Sequence, residues 1–518
     1  MNENLADLVR DAAGAAPERV ALIAVSASGT APKPEQRLTW AELDARVDAL
    51  ATGLRAGGLE TGDRVLLLQG NGLPFPISYF GVLRAGGVAV PVNTGYTAKE
   101  LGRVLADAQP RVVLCDPDRH QALAEAVAES AGTDLRVVTT DSAEFAALTA
   151  PGGAPGQPHR YSGGDDLALL MYTAGTSGEP RAAMLTHRAL RTNVDQWTSQ
   201  DPAPMTGDDV CLVVLPLFHV YALNSALGGV ARTGATALLV DRFDPEQTLR
   251  LVREYAVTSI PGVPAMYAAW VNREGIGEAL AGVRLLVSGA APMPLALLTQ
   301  WTERTGKRLY EGYGLTEAAP VVASNIGPDG PKAGSVGQPL PGIEVRLVDA
   351  DGEEVDEGDP GEVLVRGANL FSGYWPDGTE GPDAEGWYAT GDVAYLDEDG
   401  DLFLVDRRKE LILVNGFNVY PSEVEEALAA HPGVGEAAVI GVPHQTRGEA
   451  VKAYVVPRDQ VPAALTVDEL TKHCLGRLAR FKCPTEIEIV ARLPRSTTGK
   501  VAKGQLRARD WQRALDQG

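Results

Sequence analysis

A chain of 518 residues is longer than one hydrophobic core serves, so two or more domains are expected, and an apolar fraction of 45% is that of a globular protein. A net charge of −22 argues against nucleic acid or an anionic membrane as the main partner of the surface. The four cysteines, Cys115, Cys211, Cys474 and Cys483, form no CxxC pair, which argues against a zinc site or a disulfide framework and suggests reduced, buried thiols. The first residues, MNENLADLVR, lack a basic segment followed by an apolar core, and no run reaches the roughly eighteen apolar residues that span a bilayer, so a cytoplasmic protein is expected. The charge is uneven: from Thr471 to Gly518 there are eleven Lys or Arg and four Asp or Glu. That basic stretch fits either a phosphate-bearing ligand or a solvated face.

In chain order, Thr39-Trp40-Ala41-Glu42 has the form of a capping box, and Leu43, Val47, Leu50 and Leu54 then recur on one helical face that stops at Gly57-Gly58. A strand over Arg64 to Gln69, a helix over Phe75 to Arg84 and a strand over Val88 to Val92 make a βαβ unit. Arg111 to Cys115 and Arg136 to Thr139 read as further short buried strands. Alternation of this kind predicts helices packed on a mostly parallel sheet.

The Gly- and Pro-rich connection from Gly152 to Gly164 leads to LMYTAGTSGEPRAAMLTHRAL, Leu170 to Leu190. Leu167, Leu169, Leu170, Met171 and Tyr172 read as the end of a buried strand that enters a loop. Gly175 and Gly178 let backbone N–H groups approach an anion, Thr173, Thr176 and Ser177 add hydroxyls, and Arg181 adds a fixed positive charge, a set suited to phosphate. Thr186 is placed to cap a following helix. An ordinary surface loop shares this composition. The mononucleotide loop GxxxxGK[ST] is absent: beside Thr498-Gly499-Lys500, Pro494 stands where its first glycine belongs and Val501 where Ser or Thr belongs.

Asp209 to Leu215 reads as a strand ending in Pro216-Leu217-Phe218-His219-Val220-Tyr221, where a histidine between aromatics suits a packed core position or a ligand contact. Val283 to Val287 reads as a strand opening into Ser288-Gly289-Ala290-Ala291-Pro292, whose small side chains leave room for a flat ligand. Glu311-Gly312-Tyr313-Gly314-Leu315-Thr316-Glu317 follows; its Thr-Glu pair fits a helix cap or an oxygen-donor cation site. From Ser335 to Arg408 short strands alternate with Asp351-Gly352 and Asp399-Gly400 turns, the mark of hairpins, and enclose Gly386-Trp387-Tyr388-Ala389-Thr390-Gly391-Asp392. The charged run Asp406 to Glu410 is the best domain boundary. Beyond it a compact α+β unit is expected, with a capping box Ser422-x-x-Glu425, strands at Glu436 to Ile440 and Ala450 to Val456, a helix capped by Thr466-x-x-Glu469, a strand at Glu486 to Ile489, and a closing Leu493-Pro494-Arg495-Ser496-Thr497-Thr498-Gly499-Lys500.

These strings, in this order over essentially the whole chain, resemble the adenylate-forming superfamily of acyl-CoA synthetases, nonribosomal-peptide adenylation domains and luciferases, and are most similar to bacterial medium- or long-chain fatty-acid CoA ligases. The phosphate loop departs from the family's YTSGTTGKPKG at Ala174, Ser177, Glu179, Arg181 and Ala182; Arg181 keeps the charge, while Glu179 puts a carboxylate beside the triphosphate path. The resemblance implies an α/β fold: a large N-terminal domain of parallel and mixed sheets with helices and a small β-rich subdomain over residues 1–406, then a small mobile α+β lid over 407–518, hinged near Lys409. It implies ATP, Mg²⁺ and CoA, with Thr173, Ala174, Gly175, Thr176, Ser177, Gly178 and Arg181 on the phosphates, and Gly289, Ala290, Ala291, Glu311 (for the usual Gln), Gly312, Tyr313 and Gly314 around the adenosine. Asp392 and Arg407 grip the ribose, Thr316 the α-phosphate, and Glu317 with Thr173 the metal. His219, Val220, Leu223, Gly289 and Gly314 line the acyl site, Lys500 is the catalytic cation, and Lys409, Gly416 and Phe417 serve the CoA step. Many relatives carry a second Lys where this chain has Leu413. The activity implied is conversion of a carboxylic acid, medium- to long-chain fatty or aryl, to acyl-AMP and then acyl-CoA. An acyl-AMP ligase that loads a carrier protein shares every ATP-site residue. Expected partners are small molecules, with a homodimer allowed and neither nucleic acid nor an integral membrane segment.

Overall fold

The computed structural model describes residues 3–26, 35–129, 135–152, 162–174, 180–356, 358–407, 410–414, 417–444, 448–458, 465–495 and 501–516. The chain divides into two compact units, one of Met1–Val345 with Val365–Tyr388, the other of Arg346–Leu364 with Ala389–Gly518.

Two sheets build the first unit. The six-stranded one runs in the order Arg136–Thr139, Val112–Cys115, Arg64–Leu68, Val88–Pro91, Leu167–Ala174, Pro180–Thr186, with every pairing parallel except the last. Its central strands are apolar runs, and Val65 to Leu68, Val88 to Pro91 and Val112 to Cys115 are wholly buried, the pattern of a parallel sheet. The nine-stranded sheet is mixed: Val20–Val25, Thr236–Val240, Val210–Val213, Ser259–Gly262, Leu285–Ser288 and Tyr310–Gly314 pair in parallel, and Gln36–Thr39, Val321–Ser324 and Gln338–Pro339 close its ends antiparallel. A core of Trp270, Trp301, Tyr267 and aliphatic side chains backs this sheet.

The helix Trp40–Ala56 starts with the expected capping box, in which Thr39 Oγ1 accepts from Glu42 N and Glu42 from Thr39 N, and it buries Leu43, Val47, Leu50 and Leu54. Thr186 caps His187–Thr198 by accepting from Ala189 N at 3.0 Å. Several strands are one to three residues shorter than expected: Arg64–Leu68, Val88–Pro91, Val112–Cys115, Val210–Val213.

In the second unit, Val434–His444 and Gly448–Pro457 pair antiparallel, Glu486–Ile489 adds a parallel strand, and Ile412–Val414 with Phe417–Val419 complete the sheet. Thr466 and Glu469 form their capping box. Ser422 and Glu425 do not. The helix Pro421–Ala429 has Tyr420 at its N-cap and Pro421 at its first position, while Ser422 Oγ donates to Val405 O and Glu425 Oε1 accepts from Val439 N at 2.7 Å and pairs with Lys503. Tertiary partners outcompete the local cap. The Asp-Gly turns are present: Gly352 and Gly400 take positive φ, with Asp349 and Asp397 accepting from the backbone two and four residues on.

Basic residues of the C-terminal stretch find acidic partners inside this unit: Lys482 with Glu423, Arg495 with Glu436, Lys503 with Glu410 and Glu425, Arg509 with Glu488. All four cysteines are free and buried. Among the described residues no helix is long and apolar enough to cross a membrane.

Candidate active site

The apolar lead-in of the glycine-rich stretch continues two residues past Tyr172 and then returns. Leu167–Ala174 pairs antiparallel with Pro180–Thr186, Thr173 opposite Arg181 and Ala174 opposite Pro180. The strand expected to end at Tyr172 thus runs on to Ala174, and the stretch that bears Arg181 is itself a strand. Gly175, Thr176, Ser177, Gly178 and Glu179 lie outside the described residues. The second strand went unread because its alanines, Ala182 and Ala183, carry little strand signal; both are buried. Thr173 Oγ1 reaches Arg181 O at 3.4 Å.

Arg181 leaves this hairpin to stack on Tyr374, its guanidinium carbon 3.8 Å from the ring centre, and to make a bidentate pair with Glu380 at 2.8 Å on both oxygens. The hydroxyl of Tyr374 donates to Glu317 Oε1 at 2.6 Å. Glu317 stands in the one-turn helix Thr316–Ala318, where the strand Tyr310–Gly314 ends. Asparagines hold that turn: Asn224 Nδ2 donates to Ala319 O at 2.6 Å, Asn369 Nδ2 to Ala318 O at 2.7 Å, and Asn193 exchanges two hydrogen bonds with the backbone of Val321. Tyr374, Glu380 and these asparagines were not singled out in the sequence; only for Asn224, a polar residue within the apolar run Ala222 to Leu227, was a signal available.

Gly314 is required where it stands, since a Cβ there would lie 2.2 Å from Pro320 O. Three non-glycine residues of positive φ, Ala290, Ala319 and Glu380, flank the same region. Strained backbone gathered in this way is characteristic of functional sites.

His219 is half-buried, its ring against Phe218, and precedes a π-helical stretch Tyr221–Gly228. Such wide turns recur at functional sites. Val220 and Leu223 are buried, as are Ala226 and Leu227. Gly289 lies where a Cβ would meet the Tyr221 ring at 3.2 Å, which brings the π-helix up to the loop after Leu285–Ser288. From that loop Met293 N donates to Glu311 Oε2 at 3.3 Å, and burial pushes the Glu311 carboxyl up to about 7. Gly312 and Tyr313 continue the same strand, with Tyr313 buried.

In the second unit Asp392 and Arg407 are direct partners across adjacent strands, and Asp392 N donates to Thr390 Oγ1. Phe417 pairs with Val414 and Leu413 with Asn418. Lys409, Gly416 and Lys500 lie outside the described residues.

Glu317 suits a hard divalent cation: a half-buried carboxylate, oriented by a hydroxyl, beside a hydroxyl-bearing hairpin.

Residues 9–375 match the model of the AMP-binding enzyme family and residues 423–500 that of the AMP-binding enzyme C-terminal domain. The chain belongs to this family of adenylate-forming enzymes. It is 38% identical over 509 residues to a long-chain-fatty-acid CoA ligase of Yersinia pestis, covering 91% of this chain and 89% of that one. It is 40% identical over 477 residues to a feruloyl-CoA synthase of an Amycolatopsis species, covering 91% and 94%. Among solved structures it resembles ATP-bound MatB from Rhodopseudomonas palustris, with a TM-score of 0.88, 34% identity and coverage of 98% and 99%. An anthranilate CoA ligase in complex with anthranoyl-AMP gives a TM-score of 0.86 at 26% identity, covering 98% of this chain and 97% of that one.

Proposed function

We propose that this AMP-forming acid–thiol ligase converts a medium- to long-chain fatty acid, or an aryl acid, to its CoA thioester in two steps. The observation that carries the reading is the convergence of Arg181 and Glu317, from separate motifs, on the ring and hydroxyl of Tyr374. A guanidinium and an oriented carboxylate set side by side match a polyphosphate with its divalent cation.

A carboxylate is a poor electrophile because attack on it must expel oxide. Its oxygen instead attacks the α-phosphorus of ATP, pyrophosphate leaves, and the mixed anhydride so formed has AMP as a good leaving group. Charge develops on the phosphates during this step, and positioned cations there contribute several kcal/mol. Arg181 serves the β and γ side, Lys500 the α-phosphate, and Thr316 orients it. Glu317 with Thr173 would hold Mg²⁺, which would supply charge neutralisation on the phosphates. Asp392 and Arg407 hold the ribose, and Gly289, Ala290, Ala291, Gly312, Tyr313 and Gly314 enclose the base. In the second step the CoA sulfur attacks the acyl carbon and AMP departs, after a lid of residues 407–518 turns about Lys409 and brings Gly416 and Phe417 to the thiol.

His219, Val220 and Leu223 line the acyl path, and the apolar character of this stretch supports a fatty or aryl chain over an amino acid. Pyrophosphate release across a panel of fatty, aryl and amino acids, with and without CoA, tests both acid and acceptor. An amino acid as best substrate overturns the acyl assignment, and transfer to a carrier protein in preference to CoA supports the acyl-AMP ligase instead.

A further inference from the structure

The segment that carries Tyr374 is held from two sides. Ser372 N donates to Met184 O, Met184 N to Gly373 O, and Trp375 N to Ala182 O, which fastens it along the hairpin strand that bears Arg181. On its other side Phe371 N donates to Glu317 O at 2.8 Å. The Phe371 ring packs edge-on against both Tyr374, with centroids 5.2 Å apart, and Tyr388, at 5.0 Å. The phenol is thus clamped by backbone and by aromatic neighbours, and its two working surfaces, hydroxyl and ring face, are each engaged.

A glutamate side chain has three torsions to freeze before its carboxylate meets a cation, and arginine has more, so ordering either on binding costs rotamer freedom. A rigid partner that already fixes both groups removes much of that cost from the binding step. Tyrosine suits this work because its two torsions are locked by packing, its hydroxyl donates to a carboxylate and its ring face accepts a guanidinium.

We infer that Tyr374 is a positioning residue for the metal–nucleotide complex, its hydroxyl orienting the Glu317 carboxylate toward the divalent cation and its ring holding the Arg181 guanidinium toward the polyphosphate. The inference rests on the reading of Glu317 and Arg181 given above. It divides the side chain into two separable functions, one for each group.

Tyr374→Phe removes the hydroxyl and keeps the ring; Tyr374→Leu removes both. The probe is Mn²⁺, titrated by electron paramagnetic resonance against the full-length protein with α,β-methylene-ATP, a measurement that needs no turnover. Tyr374→Phe is expected to weaken Mn²⁺ binding about tenfold, the size of one hydrogen bond to a charged group, and to leave the KM for ATP at saturating Mg²⁺ within about twofold. Tyr374→Leu is expected to weaken Mn²⁺ binding similarly and also to raise the KM for ATP about tenfold. In a Glu317→Gln background, Tyr374→Phe is expected to add no further loss, since the hydroxyl acts through that carboxylate. Wild-type Mn²⁺ affinity in Tyr374→Phe, beside weakened affinity in Glu317→Gln, overturns the inference and leaves the reading of Glu317 standing. Unchanged Mn²⁺ affinity in Glu317→Gln overturns that reading and the inference with it.

Discussion

Arg181 and Glu380 face one another as a fork on a fork, two contacts of 2.8 Å, with the Glu380 side chain 68% exposed and its backbone in the left-handed region at φ 53°. The pair occupies the guanidinium edge that a phosphate would use. Exposed pairs of this kind contribute about 0.2–1 kcal/mol, so the contact is weak enough for a nucleotide to displace and strong enough to measure. Glu380→Gln is therefore expected to lower the KM for ATP about two- to fivefold with kcat unchanged, read from the ATP dependence of pyrophosphate release. A higher KM in this variant shows instead that Glu380 holds Arg181 in its working position.

Lys500 ends the string Ser496-Thr497-Thr498-Gly499-Lys500, and its charge is assigned to the first step alone. Lys500→Ala should slow acyl-AMP formation by about 10² or more and leave thioester formation from supplied acyl-AMP nearly intact. Single-turnover pyrophosphate release and CoA consumption from preformed acyl-AMP separate the two steps; equal loss in both contradicts the assignment.

His187, the first residue of the helix that Thr186 caps, is fully buried, and burial lowers its imidazole from 6.5 to about 4 against the opposing pull of Asp166 and Asp7. Leu5 N donates to Nδ1 at 3.1 Å, so Nδ1 carries no proton, and Nε2 bonds Ser162 Oγ at 3.1 Å. Charging the ring would set an N–H against the Leu5 N–H. The folded pKa lies below the unfolded one, so the unfolded chain binds more protons between them: this contribution is complete above pH 6.5 and is lost as pH falls toward 4. A shift of that size amounts to roughly 3 kcal/mol. Unfolding of wild type and His187→Gln across pH 4 to 7 should show the stability difference between them growing with pH; a flat difference counts against the buried neutral ring.

Glu311 has the opposite sign. Its folded pKa of about 7 exceeds the ordinary 4.5, because burial opposes ionisation more than the Met293 N–H favours it. Stability from this group is full below pH 4.5 and is lost as pH rises through 7. Glu311→Gln keeps the shape and an acceptor for Met293 N without the charge. The variant should match wild type near pH 4.5 and exceed it above pH 7 by up to roughly 3 kcal/mol, checked by thermal unfolding along the pH scale. A variant less stable than wild type at pH 8 shows that the ionised carboxylate is favoured in the fold.

Sequence alone determined what depends on local pattern and on residue type. The helix Trp40–Ala56 followed from Thr39, Glu42 and a period of leucines and valines, because a capping box and an apolar stripe are complete within seventeen residues. The buried parallel strands followed from apolar runs, and the string from Tyr172 to Arg181 pointed to the family because its residue types and their spacing are local to the chain. Tertiary structure decided the matters that depend on partners far along the chain. Ser422 and Glu425 have the capping-box spacing, yet Val405 O, Val439 N and Lys503 claim their side chains. The alanine-rich return strand Pro180–Thr186 is held by its neighbours rather than by propensity. Tyr374, set between Arg181 and Glu317 by backbone hydrogen bonds to Ala182, Met184 and the turn at Glu317, was invisible in the sequence for the same reason. A tyrosine's identity says nothing of which cation and which carboxylate the fold will bring to its two faces.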